Sequence, residues 1–234
     1  MYVAGLAMRV LTWNLKHGRA VPSAGHQLFD EFADALAGWE WDVALLQEVP
    51  PWWPPSLAER LDASQRFVLT SRNAGLALRR AVAVRWPDAI KSNGGGANAI
   101  LVRGDAIMEH RVRRLCIWPE RRWVQAVRLR TAGLWVANLH AGGPRRDADR
   151  AADSALRWAG DAPLVLGGDF NIRGLTLQGF TCAAAHEVDY VFVRGLSPLA
   201  DATVLGRGHL SDHAPVAVTT ARAQAPGSPA LPSE

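Results

Sequence analysis

The feature that most constrains the fold of this chain is a repeated pattern in which a short apolar run ends in carboxylate, amide or imidazole side chains. The fullest example is residues 164–171, where Leu-Val-Leu is followed by Gly-Gly-Asp-Phe-Asn. A short apolar run is typical of a buried strand, and a charged residue at its end must be solvated, paired or used. Gly, Asp and Asn also form ordinary turns. This segment alone therefore predicts either a reactive strand end or a turn.

Further runs of the same kind favour the reactive strand end. They are residues 9–14, ending in Asn14; residues 42–48, ending in Gln47 and Glu48; residues 134–140, ending in Asn138 and His140; residues 188–193, carrying Asp189; and residues 210–216, carrying Asp212 and His213. One terminal carboxylate would be unremarkable. A set of Asn, Glu, His and Asp at successive strand ends predicts that these ends converge on one site.

In their order along the chain, these segments resemble the signature of the endonuclease/exonuclease/phosphatase superfamily. The matching segments are Thr12-Trp-Asn14, Leu46-Gln-Glu48, Asn138-Leu-His140, Gly168-Asp-Phe-Asn171, Val188-Asp-Tyr190 and Ser211-Asp-His213. The superfamily includes pancreatic-type deoxyribonucleases, exonuclease III-like apurinic endonucleases, neutral sphingomyelinases and inositol polyphosphate 5-phosphatases. The resemblance extends from Met8 to Val218. Any one tripeptide could arise by chance, but the full ordered set is hard to explain in that way.

The resemblance implies an α/β (α+β) fold, a four-layered DNase-like sandwich of two packed mixed β-sheets flanked by helices. Apolar periodicity predicts a helix around residues 28–36 that ends at Gly38, and another over residues 150–159. The middle of the chain predicts short strands at residues 66–70, 81–85, 98–102 and 124–130. Residues 50–55, Pro-Pro-Trp-Trp-Pro-Pro, predict a stiff loop at the rim of the site, where an indole would stack on a base or simply pack.

Length and composition are those of one globular domain. The 234 residues are 49% hydrophobic and 21% charged. We predict a single domain over residues 8–219, an N-terminal extension over 1–7 and a disordered Pro-, Ser- and Ala-rich tail over 220–234; either Met1 or Met8 could be the natural start. No apolar stretch approaches the roughly 20 residues of a membrane helix, so we expect no stable membrane association. Two cysteines fit a reducing cytoplasm, and we expect a monomer without protein partners.

The metal expected at this site is Mg²⁺, with Mn²⁺ as a substitute. Glu48 is the best ligand for a hard cation, with Asn14 beside it, because Mg²⁺ prefers oxygen ligands. Asp212 is the candidate for a second or shifted metal. Sulfur ligands and multiple imidazole ligands are missing from the pattern, which argues against zinc.

The remaining groups can supply the parts of phosphodiester hydrolysis. Asp169 is assigned to orient or deprotonate the attacking water, and Asn171 to steady charge on the phosphate. His213 is assigned to contact phosphate or water, held in its tautomer by Asp189. By resemblance to the deoxyribonuclease branch, His140 is the candidate for protonating the leaving group or binding phosphate.

Three residues are predicted to bind the substrate phosphate: Asn14, Asn98 and Arg122. Arg122 opens a strand at a place where relatives often carry a phosphate-contacting arginine. Asn98 falls in the region where pancreatic-type deoxyribonucleases carry a glutamate that supports the histidine. If Asn98 is the partner of His140, it orients the ring without stabilising its charge, and His140 is the weaker acid.

Charge favours a nucleic-acid substrate, DNA or RNA. The formal net charge is +4, the pI is about 9.7, and the basic residues are nearly all arginine, whose planar fork suits phosphate. The alternative is a phosphatase or phosphodiesterase for phospholipid head groups, inositol phosphates or nucleotides. A catalytically inactive binding module is the third alternative, and it would require lost catalytic groups, whereas every expected group is present.

Overall fold

The computed structural model describes residues 7–70, 73–89, 96–118 and 120–223. Residues 1–6 and 224–234, which make up most of the predicted extension and tail, lie outside the described residues. The strands are β1 (Met8–Asn14), β2 (Val43–Val49), β3 (Ser64–Leu69), β4 (Ala97–Val102), β5 (Ile107–Cys116), β6 (Arg122–Leu129), β7 (Trp135–His140), β8 (Leu164–Asp169), β9 (Thr181–His186), β10 (Asp189–Arg194), β11 (Leu196–Pro198), β12 (Thr203–Val204) and β13 (Val216–Arg222). The helices are α1 (Phe29–Gly38), α2 (Trp53–Arg60), α3 (Leu76–Arg85) and α4 (Arg145–Ala159), with a 3₁₀ turn at Lys16–Gly18.

The strands form two mixed sheets. The first has the order β11-β13-β1-β2-β4-β3, with β12 also paired to β13, and the second has the order β5-β6-β7-β8-β10-β9. Each sheet contains one parallel pair, β1 with β2 and β7 with β8, and the other pairs are antiparallel. α1 connects the first parallel pair and α4 the second, as parallel strands require a crossover.

Three apolar clusters hold the layers together. One lies between the sheets and is rich in valine, with Val10 and Val43 from the first sheet facing Val136 and Val165 from the second. Another joins the outer face of the first sheet to α1 and α2. The third joins the outer face of the second sheet to α4, whose alanines allow close packing. The predicted four-layered sandwich of two mixed sheets flanked by helices is therefore confirmed.

Two local predictions were wrong. Residues 81–85, predicted as a strand, belong to α3. Alanine, leucine and arginine dominate α3 as a whole, and their high helix propensity outweighs the two valines. Residues 50–55, predicted as a loop, contain the start of α2, because proline is well suited to a first helical turn. Trp53 is buried against Phe29 and Phe32, so its indole packs and does not line a rim.

The last strand extends past the predicted domain end at residue 219, because β13 pairs with β1 and β11 as far as Arg222. Cys116 and Cys182 are both free. Among the described residues, no helix combines the length and apolar character needed to cross a membrane.

Candidate active site

The candidate site lies where four strand ends meet. The parallel pairs β1–β2 and β7–β8 direct their carboxyl ends to the same edge of the sandwich. These ends carry Asn14, Glu48, His140 and Asp169. Contacts cross between the two sheets at this edge: Asn14 Nδ2 donates to Asp169 Oδ2 at 2.9 Å. The structure thus brings together side chains that are more than a hundred residues apart in the sequence.

Asp169 is the most highly connected carboxylate of the site. Its Oδ1 accepts a hydrogen bond from the backbone N–H of Asn171 at 2.9 Å, and its Oδ2 lies 3.4 Å from His140 Nε2 and 3.9 Å from His213 Nε2. Burial and the charge of Asp189 raise the pKa of Asp169 to about 6, against the opposing effects of His213 and the hydrogen bonds. Asp169 is therefore a relatively basic carboxylate at the centre of the cluster.

His213 and Asp189 form a hydrogen-bonded pair beside Asp169. His213 Nδ1 lies 2.7 Å from Asp189 Oδ2, which leaves Nε2 directed toward Asp169. Burial opposes the charged ring, but the hydrogen bond and charge of Asp189, helped by Asp169 and Asp212, raise the pKa of His213 to about 9. The predicted pairing of Asp189 with His213 is present, and the ring is an imidazolium at neutral pH.

His140 has the opposite electrostatic character. Burial, followed by the charge of Arg122, holds its pKa well below the usual value. Arg122 Nη1 lies 2.7 Å from His140 Nδ1, and a guanidinium can only donate, so Nδ1 accepts and the ring proton is on Nε2. That proton faces Asp169 Oδ2 and Glu48 Oε1, the latter at 3.8 Å from Nε2. His140 is therefore a neutral hydrogen-bond donor.

A bulge in β2 aims Glu48 at the site. The pairing of β2 with β4 shifts register between Leu46 and Val49, and Glu48 has a φ of 50°, which a non-glycine residue rarely adopts. Its carboxylate lies 3.0 Å from His17 Nε2. Burial raises the pKa of Glu48, with Arg122 and His213 acting in the opposite direction.

A buried pair of amide side chains, Gln47 and Asn138, stabilises this bulge. Gln47 Nε2 donates to Asn138 Oδ1 at 2.8 Å, and Asn138 Nδ2 donates to the carbonyls of Leu46 at 2.9 Å and Ala99 at 2.8 Å. Both side chains are fully buried, and these hydrogen bonds replace part of their lost hydration, while Gln47 Oε1 has no partner among the described residues. They link β7 of one sheet to the bulge in the other, and thereby hold the two halves of the site in register.

The donor chemistry of the site fits a hard cation. Glu48 and Asn14 offer a carboxylate and a carboxamide oxygen, and the ligand atoms of Asp169, Asp189 and His213 lie within 4.8 Å of one another. Asp189 Oδ1 is buried without a hydrogen-bond partner in the described part of the chain. Acidic oxygens concentrated in this way repel one another unless a cation neutralises them. Because an imidazolium has no free lone pair, His213 is not a ligand in this state, and a metal would be held by oxygens of Glu48 and Asn14 beside Asp169.

Three predicted residues have placements that differ from their expected roles. Asp212, predicted as a metal ligand, is half-exposed and pairs with Lys16 Nζ at 2.5 Å. Asn98, predicted to bind phosphate and considered as the partner of His140, donates to the carbonyl of Trp123 at 3.4 Å, and Arg122 makes the contact to His140. Asn171, predicted to face the phosphate, donates to the carbonyl of Ala141 at 3.1 Å.

Two neighbours of the site were not predicted as site residues. Lys16 and His17 both have positive φ in the 3₁₀ turn that follows β1, and each contacts a carboxylate of the site. Their nearness to Asn14 in the sequence was the available signal. A single histidine or lysine after a strand is usually a surface residue, so this signal was weak.

A family model matches most of this chain. A family model described as "Endonuclease/Exonuclease/phosphatase family" matches residues 11–213, which include every predicted site residue. The search of curated proteins gave no significant match.

Solved structures share the fold. An endonuclease/exonuclease/phosphatase from Beutenbergia cavernae is 20% identical with a TM-score of 0.68, over 92% of this chain and 72% of that one. The corresponding protein from Bacteroides vulgatus is 14% identical with a TM-score of 0.69, over 93% and 100%. TDP2 from C. elegans is 17% identical with a TM-score of 0.63, over 93% and 76%. At these identities the likeness is one of fold.

Proposed function

The chain belongs to the endonuclease/exonuclease/phosphatase family, whose members hydrolyse phosphoester bonds, and from this premise we propose that it is a Mg²⁺-dependent nuclease acting on DNA or RNA. The observation that carries the proposal is the cluster of Asp169, Asp189 and His213 beside Asn14 and Glu48. It combines a buried carboxylate, a charged imidazole and cation-binding oxygens within one small space, which is what attack on a phosphodiester requires.

Asp169 is assigned to the attacking water and His213 to the phosphate. Asp169 is held by Asn14 Nδ2 and the N–H of Asn171, so its carboxylate cannot rotate away. We assign it to orient the attacking water and to accept its proton as the new P–O bond forms and the ester P–O bond breaks. His213, fixed through Nδ1 by Asp189, presents Nε2–H to a non-bridging phosphate oxygen.

His140 and Arg122 act on the other side of the phosphate. With Nδ1 engaged by Arg122, His140 can donate only through Nε2, toward the position of the phosphate or the leaving oxygen. A bound Mg²⁺, held by Glu48 and Asn14, would neutralise charge on the phosphate oxygens. Arg122 is also paired with Glu120 at 2.9 Å, and its contact with Nδ1 holds the ring of His140 in this orientation.

Nucleic acid is the proposed substrate class because of charge. Arginine supplies nearly all of the basic side chains. The affinity of a protein for a polyanion rises with each phosphate that an arginine neutralises. We also propose a cytoplasmic location, which the two free thiols support.

A substrate panel tests the proposal. We expect the purified protein with Mg²⁺ or Mn²⁺ to cleave supercoiled plasmid, an abasic-site duplex or single-stranded RNA, and also to hydrolyse bis-p-nitrophenyl phosphate. Inositol phosphates and phospholipid vesicles complete the panel. Turnover of only the inositol or lipid substrates would replace the nuclease assignment with the phosphatase alternative. Tight binding of DNA with no turnover of any substrate would identify a binding module.

A further inference from the structure

A groove beside the catalytic edge shares Arg122 with the site described above, and its other lining residues have no part in that chemistry. Two adjoining cavities of about 270 and 430 Å³ share Cys116, Trp118 and Arg146, and we call them together the Trp118 groove. The first cavity is also lined by Arg122 and Gly142. Arg122 contacts His140 directly, so the groove begins at the catalytic site and extends away from it.

The groove exposes an aromatic ring that the fold does not use. The side chain of Trp118 is 83% exposed, the largest exposure among the large hydrophobic residues of the described chain, and the adjacent Ile117 is 63% exposed. An exposed indole does not contribute the favourable free energy that burial of its large apolar surface would give. A ring so exposed is accessible to a planar ligand.

Arginines line the same cavities as this ring. Arg114 and Arg150 line the second cavity, and Arg146 lines both. Arg150 donates to the carbonyl of Leu115, and Arg114 lies 5.9 Å from the ring of Trp123, so Arg146 is the arginine most available to a ligand.

Arg146 is 66% exposed, and its nearest carboxylate oxygen, Asp147 Oδ1, is 3.7 Å away. The acidic residues of the groove are less available to a ligand, because Asp147 is buried and Glu120 is paired with Arg122. The surface offered to a ligand is thus cationic with one aromatic platform.

We propose that the Trp118 groove binds the single-stranded nucleotides that flank the scissile phosphate, with a base stacked on Trp118 and backbone phosphates held by Arg146 and Arg114. This inference rests on the proposed nuclease function and specifies its substrate further. A cationic groove with an exposed aromatic residue is the arrangement by which proteins bind single strands without sequence preference. In a duplex the bases are stacked on one another, so a paired base could not cover the indole.

Binding of a single strand tests the proposal directly. The probe is a fluorescein-labelled oligothymidylate of about ten nucleotides, measured by anisotropy in EDTA so that no cleavage occurs, with a hairpin duplex of the same label for comparison. We expect the single strand to bind more tightly than the duplex. Trp118→Ala should weaken its binding by about 5-fold to 150-fold, Trp118→Phe should retain most of the affinity, and Arg146→Ala should weaken binding and reduce its salt dependence.

Matched variants separate this effect from a general loss of folding or charge. Trp86→Ala removes another exposed indole, at the end of α3, and Arg60→Ala removes an exposed arginine from α2. Both should bind the oligonucleotide as the wild type does. Trp118→Ala should keep the unfolding temperature of the wild type, because Trp118 is exposed in the free protein.

Two results distinguish the failure of this inference from the failure of the proposed function. In the first, nucleic acid is cleaved, but Trp118→Ala binds and cleaves single strands as Trp86→Ala does, or the duplex binds as tightly as the single strand. The groove assignment is then overturned and the nuclease assignment stands. If bis-p-nitrophenyl phosphate is hydrolysed but no oligonucleotide is bound or cleaved, both are overturned.

Discussion

Asp169→Asn is expected to lower kcat for phosphodiester hydrolysis by about 10²-fold to 10⁴-fold, the usual contribution of a positioned general base. The amide cannot accept the proton of water. It also cannot accept hydrogen bonds on both sides, whereas Asp169 accepts from Asn14 through one oxygen and from the N–H of Asn171 through the other. Water positioning and site geometry are therefore both impaired. The rate is measured with bis-p-nitrophenyl phosphate and with plasmid.

The protein should remain folded, because a neutral side chain of the same shape removes a buried charge. Thermal unfolding followed by circular dichroism checks this point. Asp149→Asn is the matched control, since Asp149 lies on α4 in an exposed ion pair with Arg145. It should leave kcat unchanged. A folded Asp169→Asn protein with undiminished turnover would remove Asp169 from the mechanism.

Gly168→Ala is expected to lower the free energy of unfolding by about 4 kcal/mol or more. Single substitutions cause losses of this size only through severe effects such as steric clash or backbone strain. Gly168 lies inside β8 with a φ of 140°, and a Cβ there would meet the backbone oxygen of Leu139 at 2.1 Å. Leu139 is its partner in the parallel pairing of β7 and β8. Backbone cannot rotate away as a side chain can, so the pairing that brings His140 to Asp169 would open. Urea unfolding measures the loss.

Other glycines provide a graded series of controls. At Gly167 the added Cβ would lie 2.7 Å from Leu45 Cδ1, a side-chain end that can move, and 3.0 Å from the carbonyl of Tyr190, so a smaller loss is expected. At Gly206 no atom of the described residues lies within 4 Å of the added Cβ, and the change should be within about 0.5 kcal/mol. A Gly168→Ala protein as stable as Gly206→Ala would contradict the close approach of β7 and β8.

The Gly-Gly pair also shows how much of the fold can be predicted from the sequence. An apolar run before Gly-Gly-Asp predicts a strand end or a turn, and local preferences do not decide between them. Both glycines lie within β8 because Gly167 faces the opposite sheet and Gly168 lies against β7. These contacts connect residues far apart in the chain, and so no local pattern contains them.

The sequence predicts which residues belong to the site but not which side chains they contact. The end positions of Asn14, Glu48 and Asp169 follow from apolar runs of strand length. By contrast, the contact of Arg122 with His140 depends on the antiparallel pairing of β6 with β7, and it determines which ring nitrogen carries the proton. The pairing of Lys16 with Asp212 likewise depends on a turn of unusual backbone geometry.

Helix α3 shows a different limit. Its valines and alanines fit a short strand as well as a helix, and apolar periodicity is weak because much of its surface is exposed. Propensity summed over residues 76–85 favours a helix, whereas residues 81–85 taken alone fit a strand.

The most direct test of the account is the Mg²⁺ dependence of nucleic-acid cleavage by the wild type and by Glu48→Gln, with Glu59→Gln, an exposed change on α2, as the control. After chelation with EDTA, the wild type should be inactive and should recover fully when Mg²⁺ is restored. Glu48→Gln should need about 10-fold to 100-fold more Mg²⁺ for half-maximal rate, and Glu59→Gln should follow the wild type. Cleavage that persists in EDTA, or identical Mg²⁺ titrations for Glu48→Gln and the wild type, would contradict a cation-assisted phosphodiester hydrolase centred on these strand ends.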